Sequence, residues 1–253
     1  MSEFEDINAV VTGGGSGIGE HIAVGLAERG ARVWITGRTA SKLDAVAARH
    51  EGIVPFVCDV TDDAAIVALR DAVDAAGGCD LLVNNAGVFH LVDGVEGGPL
   101  ERQLSEIDID VTGPVRMVHH FMAGLLQRRS TVVNVSSALA FVPYAAAPVY
   151  SGAKAFVHAW TQSLRAQLAG TSVRVVELMP PVVDTPMVAG LDASLSRMPP
   201  EDLTRAFFAG LRRGDEEITP GQARQLKWAR RIAPGFIFRQ LNAQPRPTAA
   251  ADA

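Results

Sequence analysis

The feature that most constrains this chain lies near its amino end. Ile7, Ala9, Val10 and Val11 form a short apolar run that leads into Thr12-Gly13-Gly14-Gly15-Ser16-Gly17-Ile18-Gly19. From Gly17 onward, Ile18, Ile22, Ala23, Leu26 and Ala27 recur at helical spacing up to Arg29-Gly30. A strand, a glycine turn and a helix in this order bring free N–H groups and the positive end of a helix dipole to one spot, where glycine lets a ligand approach closely. Such a spot suits a pyrophosphate. The strict G-x-G-x-x-G fingerprint does not fit, because counting from Gly13 puts Ile18 where the last glycine belongs. A P-loop fails too, since Glu20 rather than Lys follows Gly19. The stretch fits T-G-x-x-x-G-I-G, with wider glycine spacing.

Strand and helix patterns alternate through the rest of the chain. Strands are expected at 32–36, 53–57, 81–83, 131–135 and 173–178, with a last strand and turn at 218–221. Helices are expected at 40–49, 64–76 (with Thr61 as N-cap), 100–128, 150–168 and 201–213. Pro114 inside the long helix predicts a kink near Val111–Gly113. The strands are nearly continuous apolar runs, as expected when helices cover both sheet faces. The pattern implies an α/β chain with a single-domain, Rossmann-type, doubly wound parallel sheet of about seven strands and helices on both faces.

Residues 1–242 are read as this one domain, with 184–213 as a loop and helix near the strand ends and 243–253 as a disordered tail. A formal net charge of -5 argues against nucleic acid as a partner. The acidic amino end lacks a signal-peptide pattern, no apolar run reaches membrane-spanning length, and Cys58 and Cys79 read as core thiols, so a cytoplasmic protein is expected. No residues show metal-ligand spacing. Between 224 and 239, Arg224, Lys227, Arg230, Arg231 and Arg239 meet no acid, and Trp228, Ile232, Phe236, Ile237 and Phe238 add apolar surface. This segment is read as packing on its own domain or on a partner subunit in preference to a membrane.

Tyr150-Ser151-Gly152-Ala153-Lys154 sets a tyrosine and a lysine one helical turn apart on one face. The lysine charge lowers the phenol pKa, which makes the phenolate accessible as a general base and the phenol a general acid in reverse. Ser136-Ser137 ends the preceding strand, on the sheet edge where the glycine turn also lies and where open α/β sheets bind ligands.

Together these stretches resemble the NAD(P)-dependent short-chain dehydrogenase/reductase family. Thr12-Gly13-x-x-x-Gly17-Ile18-Gly19, Asp59-Val60, Asn84-Asn85-Ala86-Gly87, Ser136-Ser137 and Tyr150-x-x-x-Lys154 fall in the family's order. The stretch from Asn134 to Tyr144, with Glu177 to Pro181, is similar to the subgroup that includes the oxidoreductase associated with D-alanine incorporation into lipoteichoic acid. The resemblance implies hydride transfer between a nicotinamide cofactor and a small-molecule carbonyl/alcohol pair. In it Tyr150 is the acid/base, Lys154 binds the ribose and tunes Tyr150, and Ser137 rather than Ser136 binds the substrate oxygen. It assigns the cofactor to the glycine turn (Thr12, Gly13, Gly15, Ser16, Gly17, Ile18 and Gly19), to Asp59 and Val60, and to Asn85, Ala86 and Gly87. It adds Pro180, Val183 and Thr185 at the nicotinamide end, and a homodimer or homotetramer as the assembly.

Two departures stand out. Asp110 occupies the helix position where the family often has an Asn that organises a proton-relay water, which adds a charge beside Lys154 and motivates an alternative reading as a nucleotide-binding regulator with little turnover. Pro181 replaces the usual Gly after Pro180. The second strand ends in Thr36-Gly37-Arg38-Thr39 with no acid, so Arg38, with Thr39 and Lys42 near, favours NADP(H) over NAD(H). Phe141, Val142, Pro143 and Tyr144 are expected either to wall an apolar pocket or to pack under the loop at 184–200, His90 to approach the substrate, and one of His119 and His120 to be buried.

Overall fold

The computed structural model describes residues 4–93, 97–192 and 195–243. Of the expected tail at 243–253, residues 244–253 lie outside them, as do residues 193 and 194 of the stretch at 184–213. Seven strands form one sheet: β1 (Asn8–Thr12), β2 (Arg32–Gly37), β3 (Ile53–Val57), β4 (Leu81–Asn84), β5 (Ser130–Val135), β6 (Val173–Leu178) and β7 (Glu217–Ile218). Every pair is parallel, in the order β3-β2-β1-β4-β5-β6-β7. The order reverses between β1 and β4, which opens a crevice at their carboxyl ends.

Alternation along each strand feeds two cores. Ala9, Val11, Val33, Ile35, Leu81 and Val83 face α1 (Gly17–Ala27), α2 (Ala40–Ala47) and α7 (Pro200–Arg213), which contribute Ile22, Leu26, Leu43, Leu203, Phe207 and Phe208. Val10, Trp34, Leu82, Val132 and Val175 face α3 (Asp63–Ala75), α5 (Gly113–Leu126) and α6 (Pro148–Gln167), which supply Ile66, Leu69, Met117, Phe121 and Leu164. The expectation of strands buried on both faces fails at β3, where Pro55 and Val57 are exposed. It is the sheet edge, and an edge tolerates a proline without an N–H.

Three local expectations are corrected. Asp62, not Thr61, caps α3, its carboxylate accepting from the Ala64 and Ala65 N–H groups, while Thr61 turns to Asp59. The single helix expected at 100–128 is three pieces: α4 (Leu100–Ile107), a π-helical turn (Asp108–Thr112), and α5, with Pro114 in the first turn of α5. A proline there has no N–H to donate, and the wider turn absorbs the mismatch. Lys227 does meet an acid, pairing with Glu217 of β7. It belongs to α8 (Gln222–Ile232), which with α9 (Pro234–Leu241) lays Leu226, Ile237 and Leu241 on Phe141, Val142 and Met179. Trp228, Ile232, Phe236 and Phe238 stay exposed.

Among the described residues no helix is long and apolar enough to cross a membrane. Cys58 and Cys79 are buried and free; burial pushes the Cys58 thiol up to about 11 and raises Cys79 as well. Phe207 and Phe121 are fully buried on opposite sides of the sheet. Phe207→Ala and Phe121→Ala should each destabilise the protein by about 3–5 kcal/mol, read as a lower urea midpoint at unchanged slope.

Candidate active site

The glycine turn is shaped by contacts that leave no room for side chains. Gly13 and Gly17 have φ of 67° and 57°, in the left-handed region. A Cβ on Gly19 would lie 2.4 Å from the Gly13 carbonyl oxygen. The Thr12 hydroxyl accepts from the N–H groups of Asn85 and Ala86, at 2.9 Å each, and the Asn85 amide donates back to the Thr12 carbonyl at 2.9 Å. This clamps the end of β1 to the turn after β4. Thr12 and Gly19 therefore act behind the cleft: both are buried and neither lines it, whereas Gly13, Gly15, Ser16, Gly17 and Ile18 do.

The cleft has two lobes that share Gly13, Ser16, Ala86 and Gly87. One, of about 170 Å³, is lined by Gly15, Arg38, Thr39, Lys42, Asp59 and Val60. The Asp59 carboxylate there accepts from the N–H and hydroxyl of Thr61, at 2.9 Å each. Arg38 is exposed and makes no hydrogen bond or ion pair with the described residues. The other lobe, of about 350 Å³, is lined by Asn85, Phe89, Ser137, Tyr150, Lys154, Pro180, Pro181, Val183 and Thr185.

Adjacent hydroxyls just after β5 have different partners, as the alternation of side chains along an extended segment favours. Ser136 donates to the buried Glu177 carboxylate, which also holds His158 at 2.9 Å. Both serines border the cleft, but only the Ser137 hydroxyl is left to Tyr150, and it accepts from the Leu139 N–H at 3.2 Å. The Tyr150 ring packs edge-on against Phe89, with centroids 5.0 Å apart. On the same helix face the Lys154 ammonium lies 5.4 Å from the Tyr150 ring centroid and donates to the Val135 carbonyl at 3.3 Å.

Asp110 sits behind Lys154 and not in the cleft. Its carboxylate is 3.1 Å from the Lys154 ammonium, with both side chains buried, and its second oxygen accepts from the Val88 N–H at 2.8 Å. Burial alone depresses the Lys154 ammonium, yet Asp110 and Tyr150 hold it above its ordinary value. The expected lowering of the Tyr150 phenol is overturned in the free protein. Burial pushes it up and Asp110 adds to that, while Lys154 and the Ser137 hydrogen bond pull only partly back.

Several expectations about the walls change. Tyr144 lines the cleft, but Phe141 and Val142 are buried under α8 and α9, and Pro143 is exposed. Leu226 and Leu241 take their place as lining, with α9 latched by Asn242, whose side chain accepts from the Ala145 N–H at 2.6 Å and donates to the Pro143 carbonyl at 3.0 Å. His119 is exposed and His120 half-buried against Asp63 at 2.7 Å, so neither is in the core. His90 does not line the cleft; its backbone N–H donates at 3.0 Å to Glu106, a carboxyl that is 0% exposed. Glu106, Glu177 and His158 went unnoticed in the sequence, because acidic and imidazole groups on helices and strands ordinarily face water. Ligand-type atoms of His158, Glu177 and Glu217 lie within 4.8 Å of one another, but Ser136 and Lys227 already engage the two carboxylates.

Comparison with known proteins agrees with this geometry. Residues 8–195 match the family described as short chain dehydrogenase. The chain is 34% identical over 244 residues to DltE, an uncharacterized oxidoreductase of Bacillus subtilis, covering 93% of this chain and 96% of that one. An uncharacterized oxidoreductase of Myxococcus xanthus is 36% identical over 227 residues, covering 87% and 89% of the two chains. Among solved structures, a short chain dehydrogenase from Burkholderia cenocepacia in complex with NADP superposes with a TM-score of 0.85 at 27% identity, over 97% of this chain and 100% of that one. A short chain dehydrogenase/reductase from Burkholderia phymatum in complex with NAD shares the fold, with a TM-score of 0.82 at 22% identity over the full length of both chains. With its seven-stranded parallel sheet, its glycine turn and its Ser-Tyr-Lys constellation, this chain belongs to the short-chain dehydrogenase family and is a nucleotide-dependent oxidoreductase.

Proposed function

We propose that the chain interconverts a carbonyl and an alcohol by hydride transfer with NADP(H), with Tyr150 as the general acid/base. The observation that carries this reading is the convergence of Ser137, Tyr150 and Lys154 on a cleft continuous with the glycine turn. The cleft suits a dinucleotide. A Cβ at Gly13 or Gly19 would collide with backbone or the Asn85 amide, so the cradle keeps its backbone open to a pyrophosphate at the start of α1. Asp59 and Val60 would flank the adenine, Asn85, Ala86 and Gly87 the middle of the cofactor, and Pro180, Val183 and Thr185 its nicotinamide end. A bound nicotinamide supplies the hydride to the carbonyl carbon, or takes it from the alcohol carbon.

This chain's residues do the rest. The Tyr150 phenol gives its proton to the substrate oxygen, to which the Ser137 hydroxyl also donates. The Lys154 ammonium favours the phenolate that is left and would hold the ribose hydroxyls. Arg38, unpartnered among the described residues, and Lys42 beside it support a 2′-phosphate, and no acid stands at the end of β2 to exclude one. Phe89, Leu139, Met187, Leu191, Leu226 and Leu241 make the second lobe mostly apolar, which supports an apolar carbonyl substrate. We further infer a homodimer or homotetramer and, from two free buried thiols, a reducing cytoplasm.

NADPH and NADH oxidation against a panel of ketones and aldehydes tests the reading. Tyr150→Phe should lower turnover by at least about 100-fold while NADPH binding, followed by fluorescence, stays unchanged. Turnover that survives in the variant would remove Tyr150 from the chemistry. Arg38→Ala should weaken NADPH binding by about 10–100-fold and NADH binding hardly at all. Equal losses for both cofactors would overturn the 2′-phosphate assignment.

A further inference from the structure

Behind Lys154, on the side away from the cleft, lies a second set of titratable groups that the hydride-transfer reading leaves unused. Glu106 ends α4 and Asp110 lies in the π turn that follows, both buried, with 0% and 1% of their surface exposed. Two carboxylates one turn apart, opposite a single ammonium, leave one uncompensated negative charge in a site with little water. Burying such a charge costs several kcal/mol, and taking up a proton removes it. The hydrogen bonds fit that state. One Glu106 oxygen accepts from the His90 N–H, while among the described residues its other oxygen and His90 Nδ1 are buried without a hydrogen-bond partner; the two Asp110 oxygens are taken by the Lys154 ammonium and the Val88 N–H. The unmatched Glu106 oxygen has no donor to stabilise a charge on it, which makes the neutral acid the less costly form there.

The groups form a line. Tyr150 and Lys154 of α6 face Asp110 at 3.1 Å from the ammonium; Asp110 and Glu106 interact electrostatically; the Glu106 oxygen that accepts from the His90 N–H lies 3.8 Å from the ring of His90, which is about 30% exposed. Arg102 of α4 and Asp110 are the charges felt by His90, the first opposing its protonation and the second favouring it.

We propose that Asp110 and Glu106 share one proton and act as the proton store of the site, filled from solvent at His90 and emptied toward Tyr150 through Lys154. This deepens the hydride-transfer reading and rests on it. In the reduction direction the carbonyl carbon gains the hydride from NADPH and the oxygen takes the Tyr150 proton. The Lys154 ammonium then returns a proton to the phenolate and recovers one from the carboxyl pair, which water refills at His90. One proton leaves solvent for each carbonyl reduced. Glu106 and Asp110 touch neither substrate nor cofactor here; they act through Lys154.

The burial of Glu106 raises its carboxyl to about 7, with the His90 N–H and Lys154 opposing and Asp110 adding to the shift. The store is therefore full below that pH and empties above it, so reduction should slow as pH rises through this range.

The test uses the full chain and Glu106→Gln, which keeps the shape and the acceptor for the His90 N–H but carries no titratable proton. The first arm is infrared difference spectroscopy of the free protein across a pH titration. The wild type should show a protonated-carboxyl carbonyl band that disappears as pH rises through about 7, and the variant should lack it. The second arm is the pH profile of kcat for reduction of the best panel substrate with NADPH. Glu106→Gln should lose the limb near neutrality and about 10-fold or more in kcat, with the KM for NADPH unchanged. A wild type without a titrating band overturns the proposal, as does a variant that keeps the wild-type kcat and pH limb. If no carbonyl is turned over, the hydride-transfer reading fails, while the infrared arm still decides whether the pair holds a proton.

Discussion

The site depends on one charge kept in a place where charge is expensive. An isolated ammonium buried as deeply as Lys154 would lose several kcal/mol of hydration and would give up its proton. Asp110 at 3.1 Å and the Val135 carbonyl at 3.3 Å offset that loss. The same Asp110 carboxylate caps the Val88 N–H just after the β4 turn. One side chain thus ties together three elements that are distant in sequence: the turn that follows β4, the π turn between α4 and α5, and the middle of α6. The π turn is the backbone's share of this arrangement, since its wider pitch places a helical residue at the back of the tyrosine-lysine pair.

A second buried polar group works on the neighbouring strands. Glu177 of β6 reaches Ser136 of β5 and His158 of α6, and Glu217 of β7 reaches Lys227 of α8. Its effect on the cleft is selective: it engages the Ser136 hydroxyl and leaves the Ser137 hydroxyl to Tyr150. Like the Thr12 clamp, it fixes the position of a functional group without meeting a ligand.

Local pattern made most of the fold legible. The strand at Val173–Leu178 falls where a nearly continuous apolar run puts it, because a sheet covered on two faces demands such runs. The glycine turn and the Tyr150–Lys154 spacing were readable for the same reason, as their chemistry is set by neighbours in sequence. What escaped was set by partners across space. Thr61 lost the cap to Asp62 because Asp59 engages its hydroxyl. The direction of the Tyr150 shift turned on burial, which no spacing encodes. Glu106 looked like any helix-surface acid until the tertiary fold closed over it. Phe141 and Val142 read as pocket wall because nothing local shows that α8 and α9 return to cover them.

That return divides the labour along the chain. The reacting groups come from β5 and α6, whereas Leu226 and Leu241, on the roof above them, come from the last helices, held by packing on Phe141, Val142 and Met179, by Lys227 on Glu217 and by Asn242 on the 143–145 backbone. The roof is a detachable module in evolutionary terms. Exchanges of side chain there reshape the space offered to a guest molecule and leave the proton and hydride machinery untouched, so chains with the same strand ends and different carboxyl-terminal hairpins can diverge in what they accept while keeping what they do.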